Sequence, residues 1–253
     1  MLRTRVIPCL LLKNESLVKT IKFKEYNYVG DPVNTVRIFN ELEVDELMFL
    51  DIFASKEGNS INFKILKDIA SECFMPLSYG GNIKSLDDAK KIFKIGFEKV
   101  VINSNSFDNL KLIEDISKYF GAQSVVGSID VKQSFFGGQK VYSHHGRKKQ
   151  SINAITWAKQ LEKTGVGELL VTSIDKEGSW GGYDVELIKS ITNTVRVPVI
   201  ANGGCGTVEH IGKVVQEANA SACAVGSMVV YQKKGMGVLV SFPDRKKLEE
   251  VLG

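Results

Sequence analysis

The second half of this chain repeats the first, and that repeat limits the fold more than any other feature of the sequence. With a shift of about 120 residues, Val6-Ile7-Pro8-Cys9-Leu10-Leu11-Leu12-Lys13 falls on Val125-Val126-Gly127-Ser128-Ile129-Asp130-Val131-Lys132. The stretch PLSYGGN at 76–82 falls on PVIANGG at 198–204, and GFEKV at 96–100 falls on ANASA at 218–222. Any two βα units share one such pattern, but three matches in the same order and spacing imply a duplicated block. Short β-branched runs read as eight strands, at 6–12, 47–51, 76–79, 99–103, 124–130, 168–173, 198–201 and 221–225. Apolar residues at i, i+3, i+4 spacing read as helices at 33–42, 62–73, 86–95, 109–119, 154–164, 185–192, 208–216 and 244–251. Lys94 to Gly96 and Lys163 to Gly165 have the look of helix C-termini followed by glycine. Eight alternating pairs in 253 residues are the count of an α/β fold of the (β/α)8 barrel type. We therefore expect a single TIM-barrel domain over 1–253, made of two (βα)4 half-barrels of about 1–122 and 123–253. A doubly wound open sheet would call for a glycine-rich turn after the first strand, and Lys13-Asn14-Glu15-Ser16 has no glycine.

Composition excludes several other classes. The chain is 43% hydrophobic and 25% charged with mean hydropathy −0.03, which are globular proportions. No uncharged apolar run reaches the ~18 residues of a membrane span. The N-terminal MLRTRVIPCLLLKNES lacks a small-residue cleavage site and reads as a first strand rather than a signal peptide. Cys9, Cys73, Cys205 and Cys223 lie far apart with no CxxC, so neither a zinc ribbon nor thioredoxin chemistry is signalled. Scattered cysteines in a chain of this size suit a reducing cytoplasm. The net charge of +4 is mild, which gives no reason to expect nucleic acid as a partner but is compatible with an anionic small substrate.

In a barrel of this kind the reacting groups sit at the C-terminal ends of strands. Asp130 ends an apolar run there; its repeat mate is Leu11, so only one of two equivalent positions is a carboxylate. Asp51 and Asp175 are further strand-end acids, with a helix cap or solvated loop as the alternative reading. Glycines give the second signal. Gly80-Gly81, Gly203-Gly204 and Gly226-Ser227 follow strands three, seven and eight, where a missing Cβ lets backbone amides approach a phosphate. Gly81 with Asn103 and Ser104 forms the symmetric counterpart of the strand seven and eight grip, so a ligand phosphorylated at both ends is expected. His144 and His145 lie in a polar, hairpin-like insertion at 133–150 and suggest no metal. Trp180-Gly181-Gly182-Tyr183 reads as a flexible loop over the mouth.

The blocks RVIPCLLLK, GDPVNTVRIFNE, DELMFLDIFAS, GFEKVVIN, GAQSVVGSIDVK, GVGELLVTSIDKEG, GGYD and VPVIANGGCG are similar to the cyclase subunit of imidazole glycerol phosphate synthase, the HisF family. The resemblance runs over nearly the whole chain. It implies a cytoplasmic (β/α)8 barrel with two phosphate sites and no metal or other cofactor. It also implies a heterodimer with a HisH-type glutaminase that supplies ammonia, on the histidine and purine routes. Position by position, Asp130 matches the family's general acid and Lys19 its mobile-loop lysine, while Asp51 is a candidate to share the acid–base work. Gly81, Asn103, Gly203, Gly204, Gly226 and Ser227 match the phosphate loops, and Arg5, Glu46, Lys99 and Glu168 match a charged ring through which ammonia enters.

Two departures bear on function. The family's second catalytic aspartate falls on Leu11, which cannot move a proton, and loss of such a group usually costs roughly 10²–10⁴-fold. The third glycine of the first phosphate loop is Asn82. One expectation is a paralogue that binds and stimulates the glutaminase and passes ammonia to a sugar amidotransferase of surface-polysaccharide synthesis. The other is a working cyclase that forms imidazole glycerol phosphate and an aminoimidazole carboxamide ribotide.

Overall fold

The computed structural model describes residues 4–54, 60–134 and 138–253. Residues 1–3, the last residue of the DELMFLDIFAS block and the tip of the 133–150 insertion at 135–137 lie outside them. The first half runs β1 (Arg5–Lys13), a hairpin of β2 (Ser16–Ile21) and β3 (Glu25–Gly30), α1 (Pro32–Glu41), β4 (Leu47–Asp51), α2 (Phe63–Glu72), β5 (Leu77–Gly80), α3 (Leu86–Ile95), β6 (Lys99–Ile102), α4 (Ser104–Asp108) and α5 (Lys111–Phe120). The second half runs β7 (Val125–Gln133), β8 (Gln139–Ser143), β9 (Lys148–Lys149), α6 (Ala154–Thr164), β10 (Glu168–Ser173), α7 (Val185–Thr192), β11 (Val199–Asn202), α8 (Val208–Ala218), β12 (Ala222–Val225), α9 (Ser227–Val230) and α10 (Arg245–Leu252).

Eight of the strands are parallel and pair in the order β10-β11-β12-β1-β4-β5-β6-β7. Six ladder partners from Glu168↔Val126 to Ser173↔Val131 join β10 back to β7, and the sheet closes into a (β/α)8 barrel. All eight expected strands and helices are present. Helix starts follow local chemistry: Asp31, Asn62, Asn153 and Asp184 each accept a backbone N–H of the first turn, and Ser85 with Asp88 makes a reciprocal capping box. No helix among the described residues is long and apolar enough to cross a membrane.

Strand alternation divides the core in two. Val6, Leu10 and Leu12 of β1, with Phe49 of β4 and Ile129 of β7, pack outward under the helices. Ile7 and Cys9 point the other way and form a separate apolar cluster with Met48, Val101, Val126, Leu170 and Ile200 on the barrel axis.

Two expectations are corrected. Residues 13–16 are not a βα turn: β1 runs into β2, which pairs antiparallel with it, and β3 returns along β2. The strand signal was masked because β3 is polar and exposed along most of its length. The Trp180–Tyr183 segment is not a loose loop either. The Gly182 amide donates to the Gly204 carbonyl at 2.9 Å, and the buried Tyr183 hydroxyl donates to the Ala224 carbonyl at 3.0 Å. Gly182 holds φ 86°, and a Cβ on Gly204 would run into the Gly182 carbonyl, so these glycines serve a tight contact rather than flexibility. The 133–150 insertion does carry a hairpin, with β8 antiparallel to both β7 and β9.

Phe49 is fully buried between barrel and helices. Phe49→Ala is expected to lower the free energy of unfolding by roughly 3–5 kcal/mol through lost burial and the cavity left behind, read as a reduced urea midpoint at unchanged slope.

Candidate functional site

At the C-terminal ends of the strands lies one cavity, and most of the candidate residues reach it. Leu11, Lys19, Asp51, Gly81, Asn103, Ser104, Asp130, Gly203, Gly204, Gly226 and Ser227 all line it. β1 and β7 stand opposite each other in the strand order, so Leu11 and Asp130 face the cavity from opposite sides. They share strand parity with Cys9 and Ser128 below them, which also line it.

Asp130 is buried, and burial pushes its carboxyl pKa up to about 7, against hydrogen bonds from Thr172 and Asn103 that pull it down. Asn103 Nδ2 donates to Asp130 Oδ2 at 2.8 Å, and Asn202 Nδ2 donates to Thr172 Oγ1 at 3.0 Å, so the carboxyl ends a short polar chain. A carboxyl with this pKa can give or take a proton near neutrality. Asp51 differs: its Oδ1 accepts the Phe53 and Ala54 amides at 3.0 and 2.9 Å, which fixes the turn after β4.

Lys19 lies on β2 and reaches under the hairpin to the Gly226 backbone; a Cβ at Gly226 would sit 2.9 Å from Lys19 Cε. Its ammonium pairs with Glu177, a buried acid that also accepts the Phe23 amide through Oε2 at 3.3 Å, while its carbonyl accepts the Lys22 amide at 3.1 Å. The β2–β3 hairpin is thereby fastened over the mouth. Sequence reading missed Glu177 and singled out Asp175, whose Oδ2 accepts the Gln133 amide at 2.7 Å. Glu177 lies in the turn beyond the end of β10, where strand alternation no longer applies, so the sequence carried no periodic signal for it. Thr172, Phe23 and His145 were also missed. Phe23 and His145 stack with ring centroids 5.0 Å apart and planes 6° from parallel, and both line the cavity.

The two glycine-marked regions share backbone geometry. Asn103 (φ −119°, ψ −88°) and Gly226 (φ −116°, ψ −83°) precede α4 and α9 in nearly the same conformation. Neither short helix has a side-chain cap, so its first amides are available to an anion. The Ser104 hydroxyl accepts the His144 amide at 2.9 Å. Gly204 sits at φ 106°, where a Cβ would also collide with the Gly182 carbonyl. Its repeat mate Asn82 holds φ 49°, a region that asparagine tolerates best after glycine, but Gly81 lacks the left-handed backbone of its mate Gly203 (φ 92°), so the first cradle differs in path and gains a side chain.

At the other end of the barrel Arg5, Glu46, Lys99 and Glu168 meet on the axis. Arg5 donates to Glu46 at 2.6 Å and to Glu168 at 2.8 Å, and Lys99 lies 3.1 Å from Glu46 and 3.3 Å from Glu168. Charges alternate around a closed ring. Burial works to lower the Arg5 pKa, but Glu168 and Glu46 outweigh it and the net direction is up. Above the ring the axis is lined by the apolar cluster, and above that by the cavity.

The profile of the family described as "Histidine biosynthesis protein" matches residues 5–235. A protein of Pseudomonas aeruginosa provisionally named imidazole glycerol phosphate synthase subunit hisF2 is 49% identical over 98% of this chain and 99% of its own length. One of Vibrio vulnificus, provisionally named subunit hisF3, is 43% identical over 100% and 97%. The imidazole glycerol phosphate synthase subunit HisF of Methanococcus vannielii is 39% identical over 92% and 93%.

A testable consequence comes from Asp130. Between its ordinary 3.8 and about 7 the native state holds a proton that the unfolded chain has lost. Stability contributed by this site therefore falls as pH rises through that window and levels off above it. Asp130→Asn cannot titrate, so its melting temperature is expected to drop less than that of the wild type between pH 5 and 8, as measured by scanning calorimetry.

Proposed function

Because this chain belongs to the histidine biosynthesis protein family and, within it, to the HisF-type subunits of imidazole glycerol phosphate synthase, we propose that it is the ammonia-accepting half of a heterodimer with a HisH-type glutaminase. In this reading two half-barrels, 1–122 and 123–253, face each other across one channel. The observation that carries it is the closed ring of Arg5, Glu46, Lys99 and Glu168 at the strand starts. That end of a barrel ordinarily serves stability alone, and buried charges that merely pair give little net stabilisation. A ring on the axis, with apolar Ile7, Met48, Val101 and Leu170 above it, suits the passage of a small neutral molecule. Ammonia passes such a belt without the desolvation cost that stops a charged species. Exposed Leu42, Phe74 and Tyr119 lie at helix ends or just beyond them, on the same end of the barrel as the ring. They give a partner apolar surface to cover.

At the mouth, Asp130 acts as the general acid on a phosphorylated ligand held by Gly203, Gly204, Gly226 and Ser227 at one end and by Gly81, Asn103 and Ser104 at the other. Lys19 closes over it. Leu11 removes the partner base, so the ammonia goes to another acceptor, by this reading a sugar amidotransferase of surface-polysaccharide synthesis in the cytoplasm. The intact Asp130 environment favours a second reading, a cyclase making imidazole glycerol phosphate, in which Asp51 shares the acid–base work.

The two readings part on one experiment: glutaminase activity and imidazole glycerol phosphate formation, measured with and without this chain. Ammonia supply is expected to give stimulated glutamine hydrolysis with little imidazole glycerol phosphate. Lys99→Glu is expected to abolish the coupling, Phe74→Asp to weaken docking, and Leu11→Asp to keep docking while raising cyclisation. Turnover to imidazole glycerol phosphate by the wild type at ordinary rates, roughly 1–10³ s⁻¹, would sink the ammonia-supply reading. Absence of both binding and stimulation with every glutaminase encoded nearby would sink the heterodimer.

A further inference from the structure

The hairpin and the turn at 143–147 enclose a second hollow, on the outer side of the Phe23–His145 stack and apart from the barrel cavity. Lys22, Lys24, Lys132 and Arg147 line it. Among the described residues, none of the four has a carboxylate within salt-bridge distance. Four like charges around one hollow repel each other, and a bound anion relieves that repulsion. A planar guanidinium fork with three mobile ammoniums suits two adjoining phosphoryl groups better than a single one.

The rest of the lining is aromatic. Phe23 and His145 form the wall shared with the barrel cavity, and Tyr26 packs edge-on against Phe53. Tyr26 is 44% exposed and has the Lys13 ammonium 3.5 Å from its ring centroid. Lys13 covers one face of this ring, and the exposed remainder, beside a cationic cluster, offers contact to a flat heterocycle.

The backbone points the same way. Lys22 and Phe23 hold φ 53° and 60°, and His144 and His145 hold 53° and 56°. Tight turns with two left-handed residues normally take Asn-Gly. Here bulky side chains occupy them, and three of these four line the hollow. Strain of this kind collects where a ligand is held.

We propose that this hollow binds a nucleoside diphosphate, with its pyrophosphate among Lys22, Lys24, Lys132 and Arg147 and its base against Tyr26. The site needs neither the glutaminase nor cyclisation, so it stands or falls apart from the ammonia reading. The test is calorimetric titration of the full chain with ADP, UDP, inorganic pyrophosphate and inorganic phosphate. Wild-type protein is expected to bind ADP and UDP more tightly than pyrophosphate. Lys132→Gln with Arg147→Gln is expected to weaken both nucleotides by at least about tenfold, ~1.4 kcal/mol, while inorganic phosphate binding, at the inner loops, is unchanged. Tyr26→Ala should weaken ADP and UDP severalfold and leave pyrophosphate unaffected. All three side chains are exposed or half-buried, so circular dichroism should report a native fold. No nucleotide binding to the wild type, or equal binding to the double variant, would overturn the site. Pyrophosphate binding as tight as ADP would overturn the assignment of a base.

Discussion

Backbone pairing of β10 with β7 closes the sheet, and the arrangement of every functional group in this molecule depends on that closure. In a closed barrel of eight tilted strands, every second residue points at the axis, and the axis has room for few side chains. The inward positions therefore stack in levels. Lowest are Arg5, Glu46, Lys99 and Glu168; above them lie Ile7, Met48, Val101 and Leu170; highest are Leu11, Asn103, Asp130 and Thr172. Charges at the lowest level have little water to turn to, so each carboxylate is shared between two cations. Such a ring contributes little net stability, yet removing one member leaves the others uncompensated.

The mouth is lopsided in a way that follows from the same parity. On the β1 and β4 side the inward residues Cys9, Leu11 and Leu50 are apolar; on the β7, β10 and β11 side Ser128, Asp130, Thr172 and Asn202 are polar. Burial raises the Asp130 pKa, and the two hydrogen bonds from its own side moderate the rise, leaving it near neutrality. The Lys19 ammonium pairs with Glu177 from the turn after β10. One ion pair thus both neutralises a cation near the cavity and fastens the hairpin that covers it. The Phe23–His145 stack makes a second fastening, between the hairpin and the turn at 143–147.

Much of this was legible in the residues. Period-2 and period-3.6 patterns, with the repeat, determined eight βα units, the inward parity of Leu11 and Asp130, and the glycine-bearing strand ends. Those are local properties: a strand's alternation and a glycine's missing Cβ belong to the chain itself. The charged ring was carried by resemblance alone, since four residues spread from Arg5 to Glu168 have no local relation. Only tertiary structure decided what depends on contacts between distant segments. It closed the sheet rather than leaving it open, folded 16–30 into a hairpin over the mouth, and set Glu177 rather than Asp175 against Lys19. It packed Tyr183 under Ala224 where glycines had suggested a loose loop, and stacked His145 on Phe23, more than a hundred residues apart in sequence. The physical reason is that burial and pairing are set by neighbours in space, and a polar, exposed strand or an isolated histidine carries no periodic signal of which neighbour it will meet.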